Sequence, residues 1–257
     1  NGSAGMGGQM RSVSLPGNGA APHDVREFFT VKPRRTPGME AIPRCSIEVS
    51  MGNRYLDGDY LFAIVEWVNR TFHECTINLG DTLYRHNIKH VVGEEAAHEA
   101  ARQLGDAWIL RNAPALGALR VPNRLHRWDE WLAHPEFPDM KRGVREYYES
   151  NAFLRAVMMR DVERFTQRNG RQPEPGAATR CIDYILEEVA ADTLYYRENP
   201  RVFLYPADPP STYTYFSCTE VPELLRGLDN ALYVRLSFCK RRRNPDVRED
   251  PVSSSRA

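Results

Sequence analysis

The chain has 257 residues, of which 34 are lysine or arginine and 34 aspartate or glutamate, so it carries no formal net charge at neutral pH. That balance excludes polyanion binding through bulk charge and confines any nucleic-acid contact to local patches. The length can bury a full core, and no apolar run approaches the roughly 18–20 residues that a membrane-crossing helix needs. Five scattered cysteines (Cys45, Cys75, Cys181, Cys218, Cys239), with no CxxC pair, predict free thiols in a reducing, cytoplasmic setting.

Residues 1–21 are Gly- and Ser-rich and are expected to be a disordered N-terminal segment. Residues 244–257 are expected to be a disordered tail, which leaves 22–243 as one domain. Within it, Arg44 to Ser50 alternates as a strand does. A turn, Met51-Gly52-Asn53-Arg54-Tyr55, follows. A helix is then expected over 58–73, with Leu61, Ile64, Val65, Val68 and Phe72 on one face. Cys75 to Leu79 reads as a second strand. Gly93-Glu94 opens a helix running to about Asp106, and Ala107 to Leu110 either continues it or forms a strand. Residues 128–168 read as largely helical, with breaks at Pro135 and Pro138. Asn169-Gly170 and Pro173 to Gly176 make a loop, and 177–197 a further helix. Val202 to Tyr205, ended by Pro206, and Ala231 to Phe238 are the last strands. This alternation predicts an α/β, Rossmann-like fold with a mainly parallel sheet flanked by helices. Ligands bind such sheets beyond the carboxyl ends of the strands, where Ser50, Asp81 and Tyr205 fall.

Ser50, at a strand-to-helix turn, is placed to act as a nucleophile near a helix N-terminus. Tyr184 and Glu188 are four apart and share a helix face, so serine, tyrosine and carboxylate make a plausible acyl-transfer set. Strand period two turns Ser46, Glu48 and Ser50 to one side, and Cys45, Ile47 and Val49 to the other. Glu48 is then either a solvated strand end or an anionic specificity residue for a cationic side chain.

Ser50-Met51-Gly52-Asn53-Arg54-Tyr55, Tyr184 with Glu188, and Tyr205-Pro206 together resemble the cyclodipeptide synthases. The resemblance spans roughly 44–240 but rests on these three short motifs. It implies a fold like the catalytic domain of class I aminoacyl-tRNA synthetases, and an enzyme that joins the aminoacyl groups of two aminoacyl-tRNAs into a cyclic dipeptide. Ser50 matches the serine that carries the aminoacyl group, and Asn53 an asparagine three residues on. Tyr184 and Glu188 match the pair that positions the amino group and moves protons. Tyr205 matches a second active-site tyrosine, and Pro206 the residue after it. The resemblance implies no cofactor and no metal. No stable protein partner is indicated.

The chain departs from the family pattern in three places. It combines Asn53 with Pro206, two features usually found in different members. Glu48 stands where a small residue is common. The helix near 94–111, often the basic tRNA contact, carries Glu94, Glu95, Glu99 and Asp106 against Arg102 and Arg111. These departures suit an outlying branch such as the fungal arginine-containing cyclodipeptide synthases, with arginyl-tRNA as one substrate. Arg160, Arg164, Arg168 and Arg171 recur as a helical stripe and are the expected tRNA contact. Arg120, Arg124 and Arg127 form a second cluster, and Lys240 to Arg243 a third.

Other features read as structural. His86 and His90 lack a third ligand at useful spacing and are expected at the surface. Trp128 and Trp131 are expected in the core. A serine hydrolase is the competing enzyme reading, but Glu48 replaces the first glycine of its elbow and no histidine follows His134. A non-catalytic tRNA-binding module is the third reading, and it would not need the serine, tyrosine and glutamate set.

Overall fold

The computed structural model describes residues 29–34, 36–168 and 175–240. The expected terminal segments 1–21 and 244–257, residues 169–174 with Arg171, and the arginines at 241–243 lie outside the described residues. Among the described residues, six strands form one sheet: β1 (Phe29–Pro33), β2 (Arg44–Ser50), β3 (Glu74–Gly80), β4 (Asn123–Arg127), β5 (Arg201–Tyr205) and β6 (Ala231–Lys240). The helices are α1 (Gly58–Thr71), α2 (Arg85–Val92), α3 (Glu94–Leu116), α4 (Trp128–Leu132), α5 (Phe137–Ser150), α6 (Ala152–Arg168), α7 (Ala177–Arg197) and α8 (Ser211–Cys218). Among the described residues, no helix is long and apolar enough to cross a membrane.

Strand order is β1-β6-β5-β2-β3-β4. Every neighbouring pair is parallel except β1 with β6. This is the expected α/β architecture with a mainly parallel sheet. The chain moves outward from β2 through β3 to β4, then returns to build β5 and β6 on the other side of β2. Strand order therefore reverses between β2 and β5, and the carboxyl ends at such a reversal form a ligand crevice. Ser50 and Tyr205 are the last residues of these two strands.

The alternation of β2 sorts its side chains between two cores. Cys45, Ile47 and Val49 are buried in one core with Leu61, Ile64, Val65 and Val68 of α1 and Trp108 of α3. The second core holds residues of α5, α6, α7 and α8, with Tyr184 and Tyr205 packed against it. Ser46, Glu48 and Ser50 face α7, as Ser46 and Glu48 bond to its Tyr196.

Several elements differ from the sequence expectation. β1, α2, β4 and α8 are additional, and Ala107 to Leu110 continues α3. The expected break at Pro135 falls between α4 and α5, and a further break comes at Asn151. Pro138 lies in the first turn of α5, where a missing N–H costs little. The Asn151 side chain accepts the Leu154 N–H at 3.0 Å and so caps α6. Trp128 is buried and Trp131 packs partly against the same core, as expected.

Candidate active site

Ser50 is presented by a turn. The Asn53 N–H bonds to the Ser50 carbonyl at 3.2 Å, and Gly52 adopts φ +80°, which only glycine takes without strain. A 3₁₀ turn over Arg54–Leu56 follows, and α1 begins only at Gly58. The Gly58 N–H is bonded to Asn112 Oδ1 at 2.8 Å. The helix starts at residue 58, as the sequence pattern predicts. The α1 N-terminus lies eight residues beyond Ser50 and its first donor is already used.

The Asn53 side chain has two roles. Its Oδ1 accepts the Tyr55 N–H at 3.1 Å, fixing the 3₁₀ turn, and its Nδ2 donates to Tyr205 Oη at 3.2 Å. Tyr205 donates in turn to Ser50 Oγ at 3.0 Å. Pro206, half-buried, ends β5 immediately after this tyrosine. On the other side of Ser50, the Tyr184 phenol interacts with the serine hydroxyl and with the Glu188 carboxyl. Burial and the Glu188 charge raise the Tyr184 phenol well above its usual value, so it stays protonated. The structure therefore brings Ser50, Asn53, Tyr184, Glu188 and Tyr205 together from β2, its following turn, α7 and β5.

Adjacent carboxyls on α7 have different environments. Glu187 is fully buried and ion-paired to Arg85 at 2.6 Å and Lys141 at 2.7 Å. It also accepts from Trp128 Nε1 at 3.0 Å and lies 3.2 Å from His86 Nε2. Burial opposes its charge, but His86, Arg85 and Lys141 outweigh burial and hold the carboxyl well below the usual range. His86 is accordingly not the surface residue expected from its spacing to His90: it is 7 % exposed, drawn inward by Glu187. His90 is exposed. Glu188 is pushed up to about 7 by burial and by the negative charge of Glu48, against the Tyr184 hydrogen bond.

Below Ser50, Glu48 lines the same face. Its Oε1 accepts from Tyr196 Oη at 2.6 Å and from Asn78 Nδ2 at 2.9 Å. Tyr196 is itself 2.6 Å from Ser46 Oγ. Burial raises the Glu48 carboxyl, opposed by these hydrogen bonds and by the charge of Arg201. Arg54 does not reach Glu48; it is exposed and bonds to the neighbouring Tyr55 hydroxyl. Asp192 joins this group, raised well above its usual value by burial, by Glu48 and by Glu188. Sequence reading missed Asn78, Asp192 and Tyr196. Tyr184, Glu188, Asp192 and Tyr196 recur every four residues, and Asn78 stands opposite Glu48 in the β2–β3 register.

Asp81 is buried at the end of β3, but as an anchor. It pairs with Arg127 at 2.6 Å and accepts the Trp128 N–H at 3.1 Å. Gly105 of α3 passes so close that a Cβ there would lie 2.5 Å from Asp81 Oδ2. Of the arginine stripe, Arg160 and Arg164 are exposed on α6, the latter 3.8 Å from Asp161. Arg168 is the last residue of α6, and Arg171 lies outside the described residues. In the second cluster, Arg124 pairs with Glu130 and Arg127 with Asp81 and Asp106. On α3, Arg111 is held by Asp57. No group of three or more metal-ligating side chains among the described residues is placed to hold a metal ion.

This sheet, with its flanking helices, is the fold of the cyclodipeptide synthases, seen also in a Mycobacterium tuberculosis protein whose structure relates cyclodipeptide synthetases to type I tRNA synthetases. That protein superposes with a TM-score of 0.64 at 17 % identity, over 83 % of this chain and 94 % of its own. A cyclodipeptide synthase from Fluoribacter dumoffii superposes with a TM-score of 0.71 at 23 % identity, over 83 % of this chain and 100 % of its own. One from Candidatus Glomeribacter gigasporarum, bound to Phe-tRNAPhe, gives 0.59 at 18 %, over 81 % and 92 %. No family model and no curated protein matches the sequence.

Proposed function

We propose that this chain is a tRNA-dependent cyclodipeptide synthase, and that one residue of its product is arginine with an apolar or aromatic partner. The observation that carries the reading is the convergence on Ser50, at the strand-order reversal, of Tyr205 at 3.0 Å and of the Tyr184–Glu188 pair. Ser50 Oγ attacks the ester carbonyl of the first aminoacyl-tRNA. The terminal ribose oxygen leaves, taking up a proton, and the aminoacyl group is held as a serine ester. Its ammonium faces Glu188, which takes a proton so that the amine can attack. That amine attacks the ester carbonyl of the second aminoacyl-tRNA and forms the peptide bond, and the ribose oxygen of the second tRNA leaves with a proton given up by the amine. The new terminal amine then attacks the serine ester, closing the ring and freeing Ser50. Tyr184, Tyr205 and Asn53 orient these groups, and Pro206 borders the second aminoacyl group.

The driving force comes from the two tRNA esters, the first of them conserved as the serine ester until ring closure, so the reading calls for no cofactor and no metal. It places the enzyme in the cytoplasm, with charged tRNA. The acceptor arm lies against α6, where Phe153, Arg160 and Arg164 form one stripe of exposed side chains, with Arg168 and Arg171 following in the sequence. Glu48 forms no ion pair with an arginine among the described residues, which supports a cationic first substrate. Expression in a bacterium followed by mass spectrometry of the medium is expected to reveal an arginine-containing diketopiperazine, absent with Ser50→Ala. A medium without any diketopiperazine, from soluble protein, overturns the reading.

A further inference from the structure

We infer that Asp192 and Asn78, together with Glu48, form a floor that reads a planar guanidinium, and that arginine is therefore the residue carried on Ser50 rather than the one added second. This rests on the synthase reading above and deepens it.

The placement follows from the antiparallel run of α7 over β2. Tyr184, near the start of that helix, meets Ser50 at the end of the strand. Tyr196, twelve residues on, bonds to Ser46, four residues back. Glu48 and Asp192 lie between these two fixed points, on facing elements. From Ser50 to Glu48 is one two-residue strand step, about 6.6 Å. From the α-carbon of an arginine to its guanidinium carbon is five bonds, roughly 6 Å when extended. An arginyl group esterified to Ser50 thus reaches the level of Glu48 and Asp192 while its amino group stays at Glu188, beside Tyr184.

Reach alone admits lysine as well; the acceptors distinguish the two. Asp192 accepts no hydrogen bond and makes no ion pair among the described residues. Asn78 is 4 % exposed, and its Nδ2 is committed to Glu48. Its Oδ1, on the same amide, has no partner among the described residues. A buried acceptor left unpaired costs free energy that a bound donor recovers. Acceptors on three elements, β2, β3 and α7, therefore await a ligand that only donates. A guanidinium offers five N–H groups in a planar fork and accepts nothing, whereas an ammonium is a compact charge with three. The protein's own nearby cation does not fill this role. Arg201 is hydrogen-bonded to Glu74 at 2.7 Å and makes no hydrogen bond to Glu48.

The test uses one tRNA body, that of tRNAArg, carrying arginine, lysine or the neutral isostere citrulline. Formation of the aminoacyl-Ser50 ester is followed by intact-protein mass spectrometry. The expected result is loading of arginine at least about 100-fold faster than citrulline and about 10-fold faster than lysine. Asp192→Asn is expected to slow arginine loading about 30-fold and to leave citrulline loading within about twofold, with a melting temperature no lower than that of the wild type. Equal loading of arginine and citrulline by the wild type overturns the assignment without recourse to any variant. So does an Asp192→Asn protein that keeps full discrimination. If neutral aminoacyl-tRNAs load and arginine does not, the floor is wrong and the synthase reading stands. If no aminoacyl-tRNA loads Ser50, both fall.

Discussion

Glu187 and Glu188 are neighbours in sequence, yet one is held ionised by Arg85, Lys141 and His86 while the other is pushed up to about 7. A helix turns about 100° per residue, so consecutive carboxyls look into different surroundings. Glu187 fastens α7 to α2 and α5, and Glu188 meets Tyr184 beside Ser50. Replacing each by glutamine should separate the two effects. Glu187→Gln leaves two cations short of a buried partner and is expected to cost about 3–5 kcal/mol of stability in chemical denaturation. Glu188→Gln is expected to fold normally and to lose at least about 100-fold in product formation. An unstable Glu188→Gln beside a stable, inactive Glu187→Gln would reverse the assignment.

The bonds around Ser50 predict a graded response. Ser50→Ala is expected to form no aminoacyl-enzyme and to unfold at the wild-type denaturant concentration. Tyr205→Phe removes the donor to Ser50 Oγ and the acceptor for Asn53 together. It should slow Ser50 loading by roughly 10- to 100-fold while leaving tRNA binding intact. Single-turnover kinetics with labelled aminoacyl-tRNA read both quantities; unchanged loading by Tyr205→Phe removes that residue from the mechanism.

Glu188 acts as a base only when ionised, so the rate of peptide-bond formation is expected to rise with pH through about 7. Glu48→Gln removes a negative charge that raises Glu188, and should move the midpoint to lower pH. Stability should run the other way. The folded state holds the Glu188 proton more tightly than the unfolded chain does, so stability is full below the usual carboxylate range and falls as pH rises toward 7. Glu48 and Asp192 are raised as well and act in the same direction. Glu188→Gln should therefore lessen the stability loss between pH 5 and pH 8 seen by denaturation, and an unaltered loss would show that Glu188 does not titrate there.

For the tRNA surface, Arg160→Glu with Arg164→Glu is expected to weaken tRNA binding at least about 10-fold. The slope of log affinity against log salt should fall by about 0.7–0.9 for each phosphate that is no longer neutralised. Filter binding across a salt series measures both. If neither changes, tRNA is held elsewhere, with Arg120, Arg124 and Lys240 exposed basic side chains of the other clusters among the described residues.

The parts of the fold legible in the sequence were those with a strong period. The alternation of β2 and the apolar face of α1 were clear because each buries one side against a core. β4, Asn-Arg-Leu-His-Arg, escaped notice because an edge strand with one aliphatic residue has no burial pattern to show. β1 is likewise an edge strand and ends in proline. Ser50 is marked by its place at a strand end, Tyr184 and Glu188 by their spacing, and Tyr205 by the family resemblance, and the structure brings the four together. His86 was misplaced because its burial depends on Glu187, 101 residues away, and nothing local signals such a partner. Asp192 and Tyr196 lay in plain view as the next two steps of a four-residue period, but a polar stripe on a helix ordinarily faces water.

In the proposed synthase that stripe would tie acid–base chemistry and side-chain recognition to a single rigid rod. Point changes at position 192 or 48 can retune which amino acid is admitted while the catalytic pair stays put. An insertion or deletion within α7 before residue 184 would instead turn all four side chains away together. New product specificities in proteins built this way should therefore arise by substitution, with the length of this helix unchanged between its first turn and Tyr196.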